Sequence, residues 1–326
     1  MSRESLFGAL ILAGIGGVAL GAHLLDEPFT VTLATRAAIL ALAAVGLNIA
    51  LGIGGLVSLG HAVFFGLGGY AMGVLASHAQ SFTPLEIGPL SLAGTKSMPV
   101  IWLTATLAAA LAAIPIGLLA LRTSGVYFIM ITLAFGQMFY FFSISWSAYG
   151  GEDGLSIYVR NGFPGLNTLV PIQFFSLCFA LLSAALIFAW ALRGSRFGLA
   201  LNAARQSPDR VAAEGHDPQR LQLWGFVISA ALTGLAGALF ADLNRFVSPT
   251  MFSWQMSGEI MVLVILGGVG RLMGPVAGAA LFVTLEHWLG GLWDYWHILL
   301  GALLLVVVLF ARGGVMGWLA GEGRDG

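Results

Sequence analysis

Ten apolar runs, most about twenty residues long, follow one another along this chain of 326 residues. They lie near residues 5–25, 31–53, 58–78, 99–121, 125–146, 172–192, 222–243, 258–270, 275–292 and 297–312. A helix needs roughly 20 apolar residues to cross about 30 Å of hydrocarbon. The expectation is therefore an all-α polytopic membrane protein, a single transmembrane domain over residues 1–326 with about ten transmembrane helices (8–10). Composition agrees: 58% of residues are hydrophobic and 9% charged, against about 25% charged in an average soluble domain. A soluble fold of this length would need far more polar side chains to cover its surface. With 14 basic and 15 acidic residues the formal charge is -1, which leaves no basic face for nucleic acid and no acidic reservoir for cations. The lone Cys178 can form neither an internal disulfide nor a cysteine-based metal site. Glycine, at 45 residues, suits close packing of membrane helices.

Two runs need separate treatment. The first opens Met1-Ser2-Arg3 and imitates a signal peptide, but Glu4 weakens the basic start and nine further runs follow, so it reads as a retained helix. The run at 258–270 is too short to cross alone at about 1.5 Å per residue. It is either a half-helix buried in protein or part of a longer tilted span starting near Phe252.

Orientation follows from the basic residues. With the N-terminus inside and strict alternation, the inner segments hold Arg3, Arg122, Arg193, Arg196, Arg205, Arg210, Arg220, Arg271, Arg312 and Arg324. The outer segments hold Arg36, Lys96, Arg160 and Arg245. Ten against four puts both termini in the cytoplasm. All nine tryptophans fall near proposed span ends or in the tail, Trp293 and Trp296 among the outer ones. Loops 79–98 and 147–171 are then extracytoplasmic and 193–221 is cytoplasmic.

The cytoplasmic loop predicts two short helices. One covers Phe197 to Arg205. The other starts after Ser207, which can cap it, with Pro208 in the first helical position and Asp209 in the first turn. It runs through Val211, Ala212, Ala213 and Glu214 and stops at Gly215. Small alanines permit close approach of another protein; the plainer alternative is a solvated connector whose arginines only fix topology.

The Ala212-Ala213-x-Gly215 pattern resembles the coupling motif of bacterial ABC importer permeases, in which a short cytoplasmic helix docks onto the ATPase. Four further stretches are similar to the LivM-type permeases of branched-chain amino acid importers. They are Gly46-Leu47-Asn48 to Leu51-Gly52, Ser58-Leu59-Gly60-His61-Ala62 to Phe65-Gly66, and Tyr127-Phe128 to Thr132-Leu133-Ala134-Phe135-Gly136. The fourth runs from Phe246-Val247-Ser248-Pro249 to Glu259-Ile260 and on through Leu266-Gly267-Gly268-Val269-Gly270 to Gly274-Pro275. The likeness covers residues 40 to 290. It departs at Pro208, Glu214 and Asp217, which flank the small-residue core of the coupling segment. The resemblance implies an inner-membrane permease subunit that works with a second homologous permease, two cytoplasmic ATPase subunits and a periplasmic or surface substrate-binding protein. It carries no cofactor of its own, ATP and magnesium being used by the ATPases. The implied coupling residues are Arg205, Ser207, Asp209, Ala212, Ala213, Glu214 and Gly215. The implied cargo is a branched-chain or similar amino acid, with urea, short amides or aromatic acids as the alternative within the family. A secondary transporter that needs no ATPase is the alternative of another class.

Polar groups inside a bilayer are costly and usually face other helices or a water-filled path. Asn48, Ser58, His61, Gln137 and Glu259 are the candidates for a translocation path. Ser58 could equally cap a helix and His61 donate to a neighbouring carbonyl; Glu259 could meet a passing ammonium group or pair with Arg245 or Arg271. Glu152 and Asp153, within Gly150-Gly151-Glu152-Asp153-Gly154, are candidates for contact with the binding protein, against a simple turn. Glu286 and His287 suggest packing and make weak evidence for a metal. No GxxxxGK[ST] phosphate loop occurs: Gly94-Thr95-Lys96-Ser97 has its lysine one place late. Gly66 to Ala71 imitates a dinucleotide fingerprint inside a span, where helix packing is the better reading, with Gly69 and Gly73 as a small-xxx-small pair. Nothing in the sequence gathers a catalytic cluster, so the chain is not expected to be an enzyme.

Overall fold

The computed structural model describes residues 3–87, 90–92, 94–291, 298–299, 301–302, 305 and 313–320. The helices are α1 (Arg3–Leu24), α2 (Pro28–Asn48, continued by a π-helical turn, Ile49–Ile53), α3 (His61–Ser81), α4 (Met98–Ala120), α5 (Val126–Ser145) and α6 (Pro171–Gly194). They continue with α7 (Arg196–Gln206), α8 (Pro208–Ala213), α9 (Pro218–Asn244), α10 (Trp254–Gly267) and α11 (Gly274–Gly290), before a closing helix, Gly314–Ala320. Proline holds the first or second position of α2, α4, α6, α9 and α11, where its missing N–H leaves no helical bond unmade.

Seven helices are long and apolar enough to cross a membrane: α1, α2 with its π turn, α3, α4, α5, α6 and α9. They match the first seven candidate runs. The eighth run becomes α10, whose 14 residues reach only about 21 Å. Phe252 belongs to a separate 3-10 turn, Pro249–Phe252, and Ser253 caps α10 through the Met256 N–H. The half-helix alternative therefore describes this segment. The ninth run becomes α11, with 17 residues. The tenth lies almost wholly outside the described residues, as do Trp293, Trp296, Arg312 and Arg324. Among the described residues there are thus seven helices of spanning length where about ten were expected.

The bundle is organised around α2, which touches α1, α6, α9, α10 and α11. Every residue from Ala38 to Ala44 is fully buried, as befits a helix apolar on all sides. The second axis is α9, against α2, α3 and α4. Its crossing with α3 depends on glycine: a methyl group at Gly68 would strike the Gly234 backbone, and one at Gly237 the Phe65 backbone. Small residues let helix backbones approach this closely. Gly69 and Gly73, the expected small-xxx-small pair, instead face Met251 and Val247 in the connection between α9 and α10. The outer helices α4 and α5 keep Leu103, Leu107, Leu111, Met130 and Phe141 exposed.

Two loops share one end of the bundle. In 79–98, β1 (Leu85–Ile87) pairs antiparallel with β2 (Leu90–Leu92). In 147–171, β3 (Leu155–Ser156) pairs antiparallel with β4 (Phe246–Val247), with Leu155 opposite Val247 and Ser156 opposite Phe246. The loops are joined to each other: the Met98 N–H donates to the Gly162 carbonyl at 3.0 Å and the Gly162 N–H to the Lys96 carbonyl at 2.9 Å.

Candidate functional site

The segment between α6 and α9 folds as two consecutive short helices. Ser195 starts α7 by accepting from the Gly198 N–H at 3.1 Å. Ser207 stands at the start of α8, yet its side chain makes no capping bond; Pro208 alone sets the first turn. The helix ends where Gly215 turns left-handed at φ 86°, a conformation glycine adopts without the Cβ penalty, and the His216 N–H returns to the Val211 carbonyl at 3.1 Å. Asp217 then caps α9 by accepting from the Gln219 and Arg220 N–H groups at 3.0 and 3.3 Å. Leu201 and Val211 are the buried anchors of this unit. Asp209, Ala212, Ala213, Glu214 and Gly215 are all exposed, and a Cβ added to Gly215 would meet nothing. The result is a projecting tip of small residues that no part of the described chain covers.

Arg205 behaves differently from the other coupling candidates. Its guanidinium turns back into the bundle and donates to the Gly52 carbonyl in the π turn. Asn48, one residue before that turn, uses both ends of its amide: Oδ1 accepts from the Gly270 N–H at 2.9 Å, and Nδ2 donates to the Arg271 carbonyl at 2.9 Å. Arg193, in the last turn of α6, donates to the Gly270 carbonyl at 3.3 Å. These bonds tie the two-helix unit, the broken end of α2 and the α10–α11 connection into one network. π-helical turns are rare and occur frequently at functional sites.

Ser58 and His61 are fully buried. Ser58 accepts from the Gly60 N–H at 3.2 Å just before α3. His61 Nε2 lies 2.7 Å from the Ser229 hydroxyl on α9, a hydroxyl rather than a carbonyl partner. Its ring is set edge-on against Phe64 and Phe226. The first turn of α3 is completed from another helix, the Ala62 N–H donating to Ser257 Oγ of α10 at 2.8 Å. Gln137 is half-buried on α5 and makes no side-chain hydrogen bond among the described residues. Glu259 pairs with neither Arg245 nor Arg271; its charged neighbours are Arg36 and Glu286. Those two form a salt bridge at 2.9 Å between α2 and α11, and His287 packs on Phe29.

Glu152 and Asp153 occupy an exposed turn at the loop end of the bundle, closed by the Asp153 N–H on the Gly150 carbonyl at 3.1 Å. The base of the same loop holds a polar cluster that sequence reading missed. Asp242, near the end of α9, accepts from the Asn161 backbone N–H and side-chain amide at 3.3 and 3.1 Å. Arg160 donates to the Thr168 and Leu243 carbonyls at 3.0 Å each and lies 4.5 Å from the Phe174 ring centre. Asp242 and Asn161 stand 81 residues apart; the pairing of β3 with β4, the Ile157 N–H on the Arg245 carbonyl and Arg160 on the Leu243 carbonyl bring them together.

Comparison with known proteins gives this geometry its context. The family model described as the permease component of branched-chain amino acid transport systems matches residues 29–308. The chain belongs to this permease family. It is 28% identical to the high-affinity branched-chain amino acid transport system permease protein LivM of Escherichia coli K12, over 88% of this chain and 70% of that protein. The LivM protein of Salmonella typhimurium is 24% identical over the same shares. A probable branched-chain amino acid transport permease protein LivH of Methanocaldococcus jannaschii is 22% identical over 36% of this chain and 38% of that protein. No solved structure matches. The permease is thus a multi-pass membrane transport component and not an enzyme.

Proposed function

We propose that this permease is one half of the membrane channel of a binding-protein-dependent ABC importer for branched-chain or similar amino acids, in the cytoplasmic membrane of a bacterium. Both termini and the α7–α8 unit face the cytoplasm, and loops 79–98 and 147–171 face outward. The observation that carries this reading is the bare tip Ala212-Ala213-Glu214-Gly215, small and exposed between two membrane helices, where an ATPase groove can close on it. Two ATPase subunits using ATP and magnesium drive the cycle, a second homologous permease completes the channel, and a substrate-binding protein meets the turn at Glu152 and Asp153. This subunit holds no cofactor. Asn48, Ser58, His61, Gln137 and Glu259 are assigned to the neighbourhood of the translocation path, those on α2 and α3 as positioning residues.

Replacing Gly215 by tryptophan tests the reading. An added Cβ meets no neighbour, but the left-handed φ of 86° strains most side chains there. Membrane insertion is therefore measured beside uptake, with Gly215→Asn, which tolerates this φ, as the control for strain. The expected result is an inserted Gly215→Trp protein whose uptake is abolished by bulk at the tip. Normal uptake by Gly215→Trp would remove the coupling role. Co-purification separates the ABC reading from a secondary transporter: an ATPase pair accompanies the native permease and is lost or weakened with the variant. Cargo within the family, whether amino acid, urea, short amide or aromatic acid, is set by competition for uptake.

A further inference from the structure

At the loop end of the bundle, α2, α6, α9 and the 157–170 segment enclose a cavity of about 210 Å³. Its wall carries Thr32, Thr35, Arg160, Phe174, Leu243 and Arg245. Ligand pockets for drug-sized molecules run to about 300–1,000 Å³, so this one suits a small solute or a single headgroup.

Its charge is unbalanced. Arg160 and Arg245 contribute two positive charges, and the nearest carboxylate, Asp242, is engaged by Asn161 through one oxygen. Arg160 is fixed by the Thr168 and Leu243 carbonyls, but its Nε–H is buried without a partner. Arg245 makes no side-chain hydrogen bond among the described residues. Its backbone is left-handed at φ 52°, unusual for a residue with a side chain. The Ile157 N–H bonds its carbonyl at 2.9 Å, which holds that turn in place beside the cavity. Thr35 is buried in the wall and Thr32 is exposed; both hydroxyls already donate to carbonyls of their own helix, so the donors left for an anion are those of the two arginines. Burial, reinforced by Arg245 and opposed by Asp242, holds the Arg160 guanidinium below its ordinary range. Arg245 is exposed beside the cavity, Arg160 keeps one buried N–H without a partner, and planar guanidinium groups match carboxylate and phosphate geometry.

We propose that this cavity is an oxyanion site, taking one carboxylate or phosphate group between the guanidinium groups of Arg160 and Arg245. The assignment rests on the cavity and its charges and does not depend on ATP coupling. The group can come from a small carboxylate solute or from a lipid headgroup.

The test uses the full-length chain in nanodiscs of phosphatidylcholine, unfolded thermally with isovalerate, leucine, isoamylamine, inorganic phosphate or short-chain phosphatidylglycerol. A bound ligand raises the unfolding temperature in proportion to its occupancy. The expected result is a rise with at least one oxyanion and none with isoamylamine. Arg245→Gln weakens the apparent affinity about tenfold or more, as loss of a charge-assisted contact requires, and Arg245→Lys retains most of it. A rise with isovalerate and leucine identifies a solute carboxylate; a rise with phosphatidylglycerol alone identifies a lipid phosphate; either supports the site. Should Arg245→Gln fail to fold, Arg245→Asn, whose short side chain tolerates the left-handed backbone of this position, removes the same charge and gives the same readout. The site is overturned if no acid shifts the transition, if isoamylamine shifts it equally, or if the shift is unchanged in every variant.

Discussion

Arg36 is the residue whose removal separates charge from packing most cleanly. It bridges to Glu286 at 2.9 Å, with Glu259 beside the pair. Taking one partner from a buried ion pair costs about 3–5 kcal/mol; Arg36 and Glu286 keep 32% and 21% of their side-chain surface exposed, so about 2 kcal/mol is the realistic figure here. Arg36→Gln leaves two carboxylates facing each other, whereas Glu286→Gln leaves Arg36 with Glu259. The expected order of unfolding temperatures in detergent is native, then Glu286→Gln, then Arg36→Gln. An inverted order would mean that Glu259 is not part of the cluster. The sequence could nominate these residues as polar groups in apolar runs, but it could not pair them. Arg36 and Glu286 stand 250 residues apart, and runs that are apolar on every side carry no periodic stripe to say which face turns inward.

Short elements were more readable than long-range contacts. Ser, Pro, Asp and Gly punctuate 193–221 so strongly that α7 and α8 fall within a residue or two of their expected limits. Local turn chemistry decides those boundaries, and it is written in neighbouring residues. What the punctuation could not reveal was that Arg205 faces the bundle, because its partner is a carbonyl released by the π turn after α2. Placed there, Arg205 is a strut between the α7–α8 unit and the broken end of α2. Arg205→Ala leaves the exposed tip Ala212–Gly215 untouched. Under the proposed ABC function the ATPases should therefore still co-purify and hydrolyse ATP, while uptake per ATP falls sharply. Uptake and hydrolysis falling together, with the ATPases lost, would place Arg205 in the docking contact instead.

At the scale of the molecule, the bundle depends on how closely α3 and α9 can cross. Gly237 sits against the Phe65 backbone, where neither helix can yield without moving its neighbours, and overpacking of this kind costs about 1–3 kcal/mol or more. Gly237→Val should lower expression and unfolding temperature severely. Gly17→Val, where an added Cβ meets nothing, should be neutral. Equal behaviour of the two variants in a thermal-shift assay would mean that the crossing has slack. Gly-rich composition predicted close packing of this kind. Which glycines make it follows only from the relative rotation of two helices, a quantity no single run encodes.

The two rungs between β3 and β4 carry a mechanical consequence. They fasten the 147–171 loop to the strip of chain between α9 and α10, while Asn161 and Asp242 clamp its base. A body settling on Glu152 and Asp153 therefore does not press on a slack strap. Its thrust is delivered to the joint from which the short helix α10 hangs, and at the far end of that helix Gly270 is already gripped by Asn48 and Arg193.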